Sequence, residues 1–263
     1  MTNWYIGTMG FGYKPWQGSF YPEKLPKAQQ LPYYAGVFNA LEMDSTFYGT
    51  PRVEAVQRWR ALTPEGFQFC PKAPREITHD LRLAAPAPDL LATFVETMRL
   101  LGDKLGPIVL QFAPDFPVAE FDNLAAFLAR LPQDARYAVE LRHRSWWGDA
   151  TADLFRAHGV CWIAADYIYL PKEIRRTADF LYLRLLGRHG QFATKTHEVV
   201  DKSDDLRAWR AKIDAVSQPE APRDVYAFFN DDFAGHAPAT ANRFKALLGI
   251  EVGEGPPQQP RLL

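Results

Sequence analysis

The chain has 263 residues, 47% hydrophobic and 23% charged, a composition typical of a folded globular protein. Thirty Lys and Arg residues face 31 Asp and Glu residues, and the formal net charge of −1 argues against a non-specific nucleic-acid coat or a protein held by charge on anionic membranes. Cys70 and Cys161 both lie in apolar runs, which excludes a disulfide framework and predicts buried thiols.

The amino terminus, MTNWYIGT, lacks the basic stretch followed by an apolar stretch that marks a secreted precursor. No apolar run approaches the roughly 20 residues that a membrane-spanning helix needs. We therefore expect a cytoplasmic protein with reduced thiols and no membrane partner.

Eight apolar stretches of strand length follow one another along the chain. Most of them are continuous and rich in β-branched and aromatic residues, as in strands that are covered on both faces of a parallel sheet. The predicted strands are residues 4–8, 41–45, 67–72, 107–112, 137–142, 160–166, 180–187 and 225–231.

Apolar residues with a helical period of about 3.6 lie between these stretches. They predict helices over residues 53–62, 90–101, 124–131 and 206–216, and a last helix that ends before Gly249. Eight strands alternating with helices predict a (β/α)8 TIM-like barrel, an α/β fold, as a single domain over residues 1–250. The Pro- and Gly-rich residues 251–263 predict a loosely ordered tail.

A doubly wound open sheet is the alternative fold. Its usual mark is a G-x-G-x-x-G turn directly after the first strand. Gly7, Gly10 and Gly12 follow that strand with a different spacing, and the barrel is therefore favoured.

In a barrel of this kind, functional side chains come from the carboxyl ends of the strands. Side chains alternate between the two faces of a strand, so Glu42 shares a face with Asp44, and Glu140 with Arg142. Carboxylates this far inside a strand are costly to bury unless they are paired or used. We expect a charged ring at one mouth of the barrel, made of Glu42, Asp44, Lys72, Gln111, Glu140, Arg142, Asp166, Arg184, Asn230 and Asp231.

The ring mixes both signs of charge, which suits acid–base chemistry and the binding of an anionic substrate. Residues 187–190, GRHG, follow the seventh strand, and residues 230–236, NDDFAGH, follow the eighth just before a helix. Loops at these positions often bind phosphate in TIM barrels. Ordinary solvated turns remain the alternative for both segments.

The connection from Gly7 to about residue 27 is long and aromatic, and loops of this length in a compact domain are often functional. We therefore count Tyr13 and Trp16 as candidate binding residues. Packing of these rings into the core is the alternative.

Four histidines, His79, His143, His189 and His236, fall in loops that open at the same mouth. Neither an H-E-x-x-H nor a C-x-x-C motif accompanies them. We expect neither a metal ion nor a cofactor.

Seven segments, in this order, resemble the YecE-like family, also known as domain of unknown function 72: residues 10–22, 41–51, 67–80, 105–114, 138–146, 182–187 and 226–232. The resemblance implies a TIM-like barrel of unassigned activity that is similar in shape to apurinic-site nucleases of the endonuclease IV type. It also implies mouth residues at Glu42, Asp44, Lys72, His79, Gln111, Glu140, Arg142, Arg184 and Asn230. The chain departs from the family pattern at Phe11-Gly12, where Trp-Ser is frequent, and at Asp44, where Asn is common.

These observations predict an enzyme, a hydrolase or lyase, that acts on a small anionic substrate such as a phosphate ester or an acidic sugar. Glu140 is the predicted general acid or base, with Lys72 as electrostatic partner and Asp44 beside them, and Arg142 and Arg184 bind the anion. Aromatic side chains of the first loop cover a ring of the substrate.

Two alternatives stay open: a metal-dependent nucleic-acid phosphodiesterase and a non-catalytic module that binds an anionic metabolite. The sequence does not indicate an oligomeric state.

Overall fold

A computed structural model describes residues 2–253 of the chain. Within that range, short strands alternate with helices from one end to the other. The strands are β1 (Asn3–Met9), β2 (Ala40–Met43), β3 (Gln68–Pro71), β4 (Ile108–Gln111), β5 (Tyr137–Glu140), β6 (Cys161–Trp162), β7 (Ala164–Asp166), β8 (Phe180–Leu185) and β9 (Asp224–Phe229). The helices are α1 (Lys27–Val37), α2 (Val53–Ala61), α3 (Ala87–Met98), α4 (Phe121–Leu128), α5 (Asp149–Ala157), α6 (Ser203–Val216), α7 (Asp231–Ala234) and α8 (Ala237–Leu247).

The strands form two sheets in which every strand pair is parallel. Six strands lie in the order β3-β2-β1-β9-β8-β7, and three lie in the order β4-β5-β6. The predicted α/β class with a parallel sheet is therefore confirmed. All eight predicted strand regions contain strands, and residues 160–166 hold both β6 and β7.

Alternation of side chains along the strands divides the buried apolar residues into two clusters. The larger cluster fills the space between the sheets and the helices. The smaller cluster takes its members from all nine strands or from the residues that adjoin them, and it lies on the opposite face of the strands. Its members are Met9, Ala40, Cys70, Val109, Ala138, Cys161, Ile163, Phe180, Tyr182, Tyr226 and Phe228.

The five predicted helices correspond to α2, α3, α4, α6 and α8. None of the helices in residues 2–253 is both long and apolar enough to cross a membrane. The domain boundary at residue 250 stays a prediction, and residues 254–263 of the predicted tail lie outside the described part of the chain.

Gly7 lies where β1 packs tightly against β2 and against Tyr34 of α1. It pairs with Ala40 of β2. The Tyr34 hydroxyl from α1 accepts a hydrogen bond from the Thr8 amide at 2.7 Å and donates one to the Ala40 carbonyl at 3.0 Å. A β-carbon at position 7 would lie 1.9 Å from that carbonyl oxygen and 2.7 Å from the Tyr34 hydroxyl. The contact between the two strands therefore requires glycine.

We expect Gly7→Ala to lower the free energy of unfolding by at least about 3 kcal/mol, since the strands or Tyr34 must move to admit the methyl group. Urea denaturation measures the change. Gly148→Ala is the matched control, because a β-carbon at Gly148 meets no atom within 4 Å. Equal stability of the Gly7→Ala and Gly148→Ala proteins would contradict the close approach.

Candidate functional site

The same alternation that builds the smaller apolar cluster directs polar side chains to the carboxyl ends of the strands. A residue two positions after a cluster member points to the same face. Six polar residues follow cluster members in this way: Glu42, Lys72, Gln111, Glu140, Arg184 and Asn230. The sequence predicted all six as site residues.

Arg184 on β8 is the centre of a buried ionic cluster. Its Nη2 lies 2.7 Å from Oε1 of Glu42, and its Nε donates to the same carboxylate at 3.1 Å. Its Nη1 donates to Oε2 of Glu140 at 2.5 Å. The side chains of Arg184, Glu42 and Glu140 are 3%, 0% and 1% exposed, so this cluster is removed from solvent. Tyr182 donates a further hydrogen bond to Glu42 at 2.7 Å.

The two carboxylates of this cluster differ in their pKa. Burial alone would raise the pKa of Glu140, but the attraction of Arg184 and Arg142 outweighs it and lowers the pKa to about 2. Burial raises the pKa of Glu42 above its ordinary value, even though Arg184 stabilises the carboxylate form. Glu140 is therefore ionised at neutral pH and accepts hydrogen bonds from two guanidinium groups.

Arg142 extends the cluster toward solvent. Its Nε donates to Oε1 of Glu140 at 2.6 Å, and its guanidinium lies 5.2 Å from the centre of the Tyr167 ring. Among residues 2–253, no protein group accepts a hydrogen bond from its two terminal nitrogens. Glu140 thus holds one edge of the guanidinium and leaves the other edge available to a ligand.

Lys72 carries an ammonium group without a hydrogen-bond partner in the described part of the chain. Its Nζ is 3.8 Å from the Asp44 carboxylate and 3.9 Å from the centre of the Phe47 ring, and the side chain is 10% exposed. Burial, followed by repulsion from Arg184, lowers the pKa of Lys72, while Asp44 acts in the opposite direction. Such an amine loses its proton more readily than a lysine on the surface.

These groups border a cavity of about 540 Å³ at the carboxyl ends of the strands, which we call the main cavity. Eight of the site residues predicted from the sequence line this cavity: Tyr13, Asp44, Lys72, Gln111, Arg142, Arg184, Asn230 and Asp231. Lys195, His189 and Asp232 lie on its wall in the segments that follow β8 and β9. Parallel strands and their loops thus bring residues that are distant in sequence to one place.

Other predicted site residues lie apart from the main cavity. Asp166 points to the helices, because Ala164, two residues earlier on the same face, belongs to the larger apolar cluster. Its carboxylate accepts a hydrogen bond from Trp209 at 2.7 Å and pairs with Lys172 at 2.7 Å. His79 packs edge-on against Phe47, with ring centres 5.1 Å apart.

Trp16 is fully buried, which agrees with the packing alternative for the first loop. Its indole nitrogen donates to the Asp231 carboxylate at 3.1 Å. Asp231 also accepts a hydrogen bond from the Ala237 amide at 2.8 Å, so it joins the first loop to the start of α8.

Several residues of the main cavity were absent from the sequence-based set. Phe47 and Tyr48 follow Asp44 closely in the segment STFYG, and Asp232 adjoins Asp231. Their positions near predicted site residues could have identified these three as cavity residues. Tyr167 and Lys195 lie in longer connections, where spacing gives no such signal. Within residues 2–253, no group of three or more His, Cys, Asp or Glu side chains is placed to hold a metal ion.

Comparison with known proteins supports the resemblance seen in the sequence. The family described as "Protein of unknown function DUF72" matches residues 5–262. UPF0759 protein YunF of Bacillus subtilis is 26% identical over 282 residues, covering 97% of this chain and 98% of that protein. UPF0759 protein YecE of Escherichia coli K12 is 38% identical over 110 residues, and this match spans 42% of the chain and 40% of the relative.

Crystal structures of two DUF72 family proteins are similar to the whole chain. The protein from Thermotoga maritima has a TM-score of 0.77 and 28% identity, with 94% of this chain and 99% of that chain covered. The protein from Enterococcus faecalis has a TM-score of 0.74 and 20% identity, with 95% and 99% covered. The predicted family relationship is confirmed.

We expect the pKa of Lys72 to lie below 10.5, its ordinary value, and to fall further in Asp44→Asn, because that change removes the nearest negative charge. NMR titration of ¹³C-methylated lysines measures both values. Asp149→Asn is the control, since Asp149 is 95% exposed and pairs with Arg175. A pKa of 10.5 or higher in the unaltered protein, or no response to Asp44→Asn, would contradict this description of the site.

Proposed function

The chain belongs to the DUF72 family, and we propose that it is an enzyme that binds a small substrate bearing a phosphate or carboxylate group in the main cavity. Arg142 and Lys72 bind and process this substrate. The observation that carries the proposal is the free edge of Arg142, which Glu140 holds in the wall of the same cavity as the Lys72 amine, a group that has no hydrogen-bond partner in residues 2–253.

We propose further that the two sheets close into the eight-stranded barrel predicted from the sequence. Parallel bridges pair Phe69 of β3 with Leu105, three residues before β4, and Lys72, the residue after β3, with Val109 of β4. Ile163 alone separates β6 from β7. Its amide donates a hydrogen bond to the carbonyl of Val139 in β5 at 2.9 Å. Closure would make the smaller apolar cluster the interior of the barrel, and the main cavity would then lie at its carboxyl-terminal mouth.

An anionic group fits the part of the main cavity lined by Arg142 better than the part lined by Asp232 and Lys195. The Asp232 carboxylate already accepts a hydrogen bond from the Gly190 amide at 3.0 Å and lies 3.3 Å from the Lys195 ammonium. A second anion there would compete with Asp232. The terminal nitrogens of Arg142 have no such competitor among the described residues, and guanidinium groups bind phosphate and carboxylate oxygens in pairs.

Lys72 is the group best suited to transfer a proton. Its lowered pKa and its position on the cavity wall allow it to lose and regain a proton near the bound anion. Glu140, the sequence-based candidate, has both oxygens engaged by Arg184 and Arg142, and its pKa of about 2 makes it a weak base. We therefore assign Glu140 to positioning Arg142, and Asp44 to setting the charge of Lys72.

Binding of inorganic phosphate, measured by calorimetry, tests the anion site. A hydrogen bond to a charged group contributes about 1.5–3 kcal/mol, so we expect Arg142→Gln to weaken binding at least about tenfold. Arg144→Gln is the matched control, because Arg144 is exposed and donates to the Tyr169 carbonyl at 3.1 Å. Phosphate affinity that is unaffected by Arg142→Gln, or lost equally in both variants, would contradict the proposal.

The same ligands separate an enzyme from a binding protein. A set of phosphate monoesters is incubated with the protein and followed by ³¹P NMR, and at least one is expected to be converted by the unaltered protein but not by Lys72→Met. Recovery of every bound compound intact would contradict catalysis and would identify a binding module.

A further inference from the structure

A second cavity, of about 340 Å³, borders the main cavity behind the first loop. We call it the side cavity. Tyr13, Asp44 and Ser45 line both cavities, so the two spaces adjoin along these residues. The remaining lining of the side cavity comes from Gly10, Phe11, Gly12, Leu41, Glu42, Met43 and Trp59.

The side cavity is apolar and aromatic. Phe11, Tyr13 and Trp59 pack against the larger apolar cluster but stay partly exposed, so they offer ring surface to a ligand. The Tyr13 hydroxyl donates to the Met9 carbonyl at 2.6 Å, which occupies its polar end. The Glu42 carboxylate is likewise occupied by Arg184 and Tyr182.

Charge distinguishes the two cavities. Asp44 lies on their shared border and carries a carboxylate, whereas Lys72 and Arg142 line only the main cavity. An anionic group is therefore favoured in the main cavity and disfavoured in the side cavity. An uncharged aromatic group gains contact with Phe11 and Trp59 when it leaves water.

We propose that the side cavity binds an aromatic ring of the same substrate whose anionic group occupies the main cavity, so that the substrate class is an aryl-bearing phosphate, phosphonate or carboxylate. This inference rests on the proposed function for the anionic end. The volume suits one ring, because an engineered apolar cavity of about 150 Å³ already holds benzene. In this proposal, Phe11 and Tyr13 of the first loop contact the substrate. Trp16 of the same loop is fully buried and does not.

Phenylphosphonate and methylphosphonate form a matched pair of probes, since both carry the same anionic group and neither is a phosphate ester. We expect phenylphosphonate to bind at least about tenfold more tightly by calorimetry. Gly12 lines the side cavity, and a β-carbon there meets no atom within 4 Å, so we expect Gly12→Phe to place a ring at the cavity wall, to abolish this preference and to leave methylphosphonate affinity unchanged. Gly12→Leu provides a smaller second obstruction.

Gly148→Phe is the control, since Gly148 has equally open surroundings and does not line either cavity. Equal affinity for the two phosphonates, or a preference that survives both substitutions at Gly12, would overturn the aryl site and leave the anion site intact. Absence of binding for both phosphonates would instead refute the proposed function, and the aryl site with it. Unchanged methylphosphonate affinity in a variant shows that the variant is folded.

Discussion

The Arg184 guanidinium, buried between Glu42 and Glu140, is the interaction on which the candidate site depends. Removing ionisable side chains from water is costly, and their mutual attraction offsets that cost only when the geometry satisfies them. Arg184 engages one carboxylate through Nε and Nη2 and the other through Nη1. The second oxygen of Glu140 accepts a hydrogen bond from Arg142 and so fixes the Arg142 guanidinium at the cavity wall. A buried ionic cluster thus gives a partly exposed guanidinium group a defined orientation.

Strand geometry links this cluster to the fold. Six of the nine strands carry an apolar residue of the smaller cluster that is followed two positions later by a polar residue, so the smaller cluster ends in a charged layer. Glu42, Glu140 and Arg184 meet because β2, β5 and β8 present the same face at the same level. The main cavity lies just beyond this layer and is lined by Lys72 and Arg142. The alternation of side chains along the strands therefore positions both the smaller apolar cluster and the polar residues of the candidate site.

Much of this arrangement could be predicted from the sequence, because continuous apolar strands and their polar ends are local patterns. The failures have physical causes. Asp166 was expected in the ring, but β7 presents it to Trp209 of α6, and a face cannot be assigned when a strand is interrupted at Ile163. Helix α1 was not identified because Pro32 interrupts its pattern. The lowered pKa of Glu140 was not visible in the sequence, because it depends on Arg184, which is 44 residues away in the chain.

The claim that Glu140 acts by positioning Arg142 is tested most directly by a double-mutant cycle on phosphate affinity. If Glu140 acts through Arg142, Glu140→Gln should weaken phosphate binding about tenfold when Arg142 is present. In a protein that already carries Arg142→Gln, it should weaken binding by less than about twofold. The two variants would then be strongly coupled. Additive losses would show that Glu140 affects the anion independently of Arg142 and would contradict this account of the site.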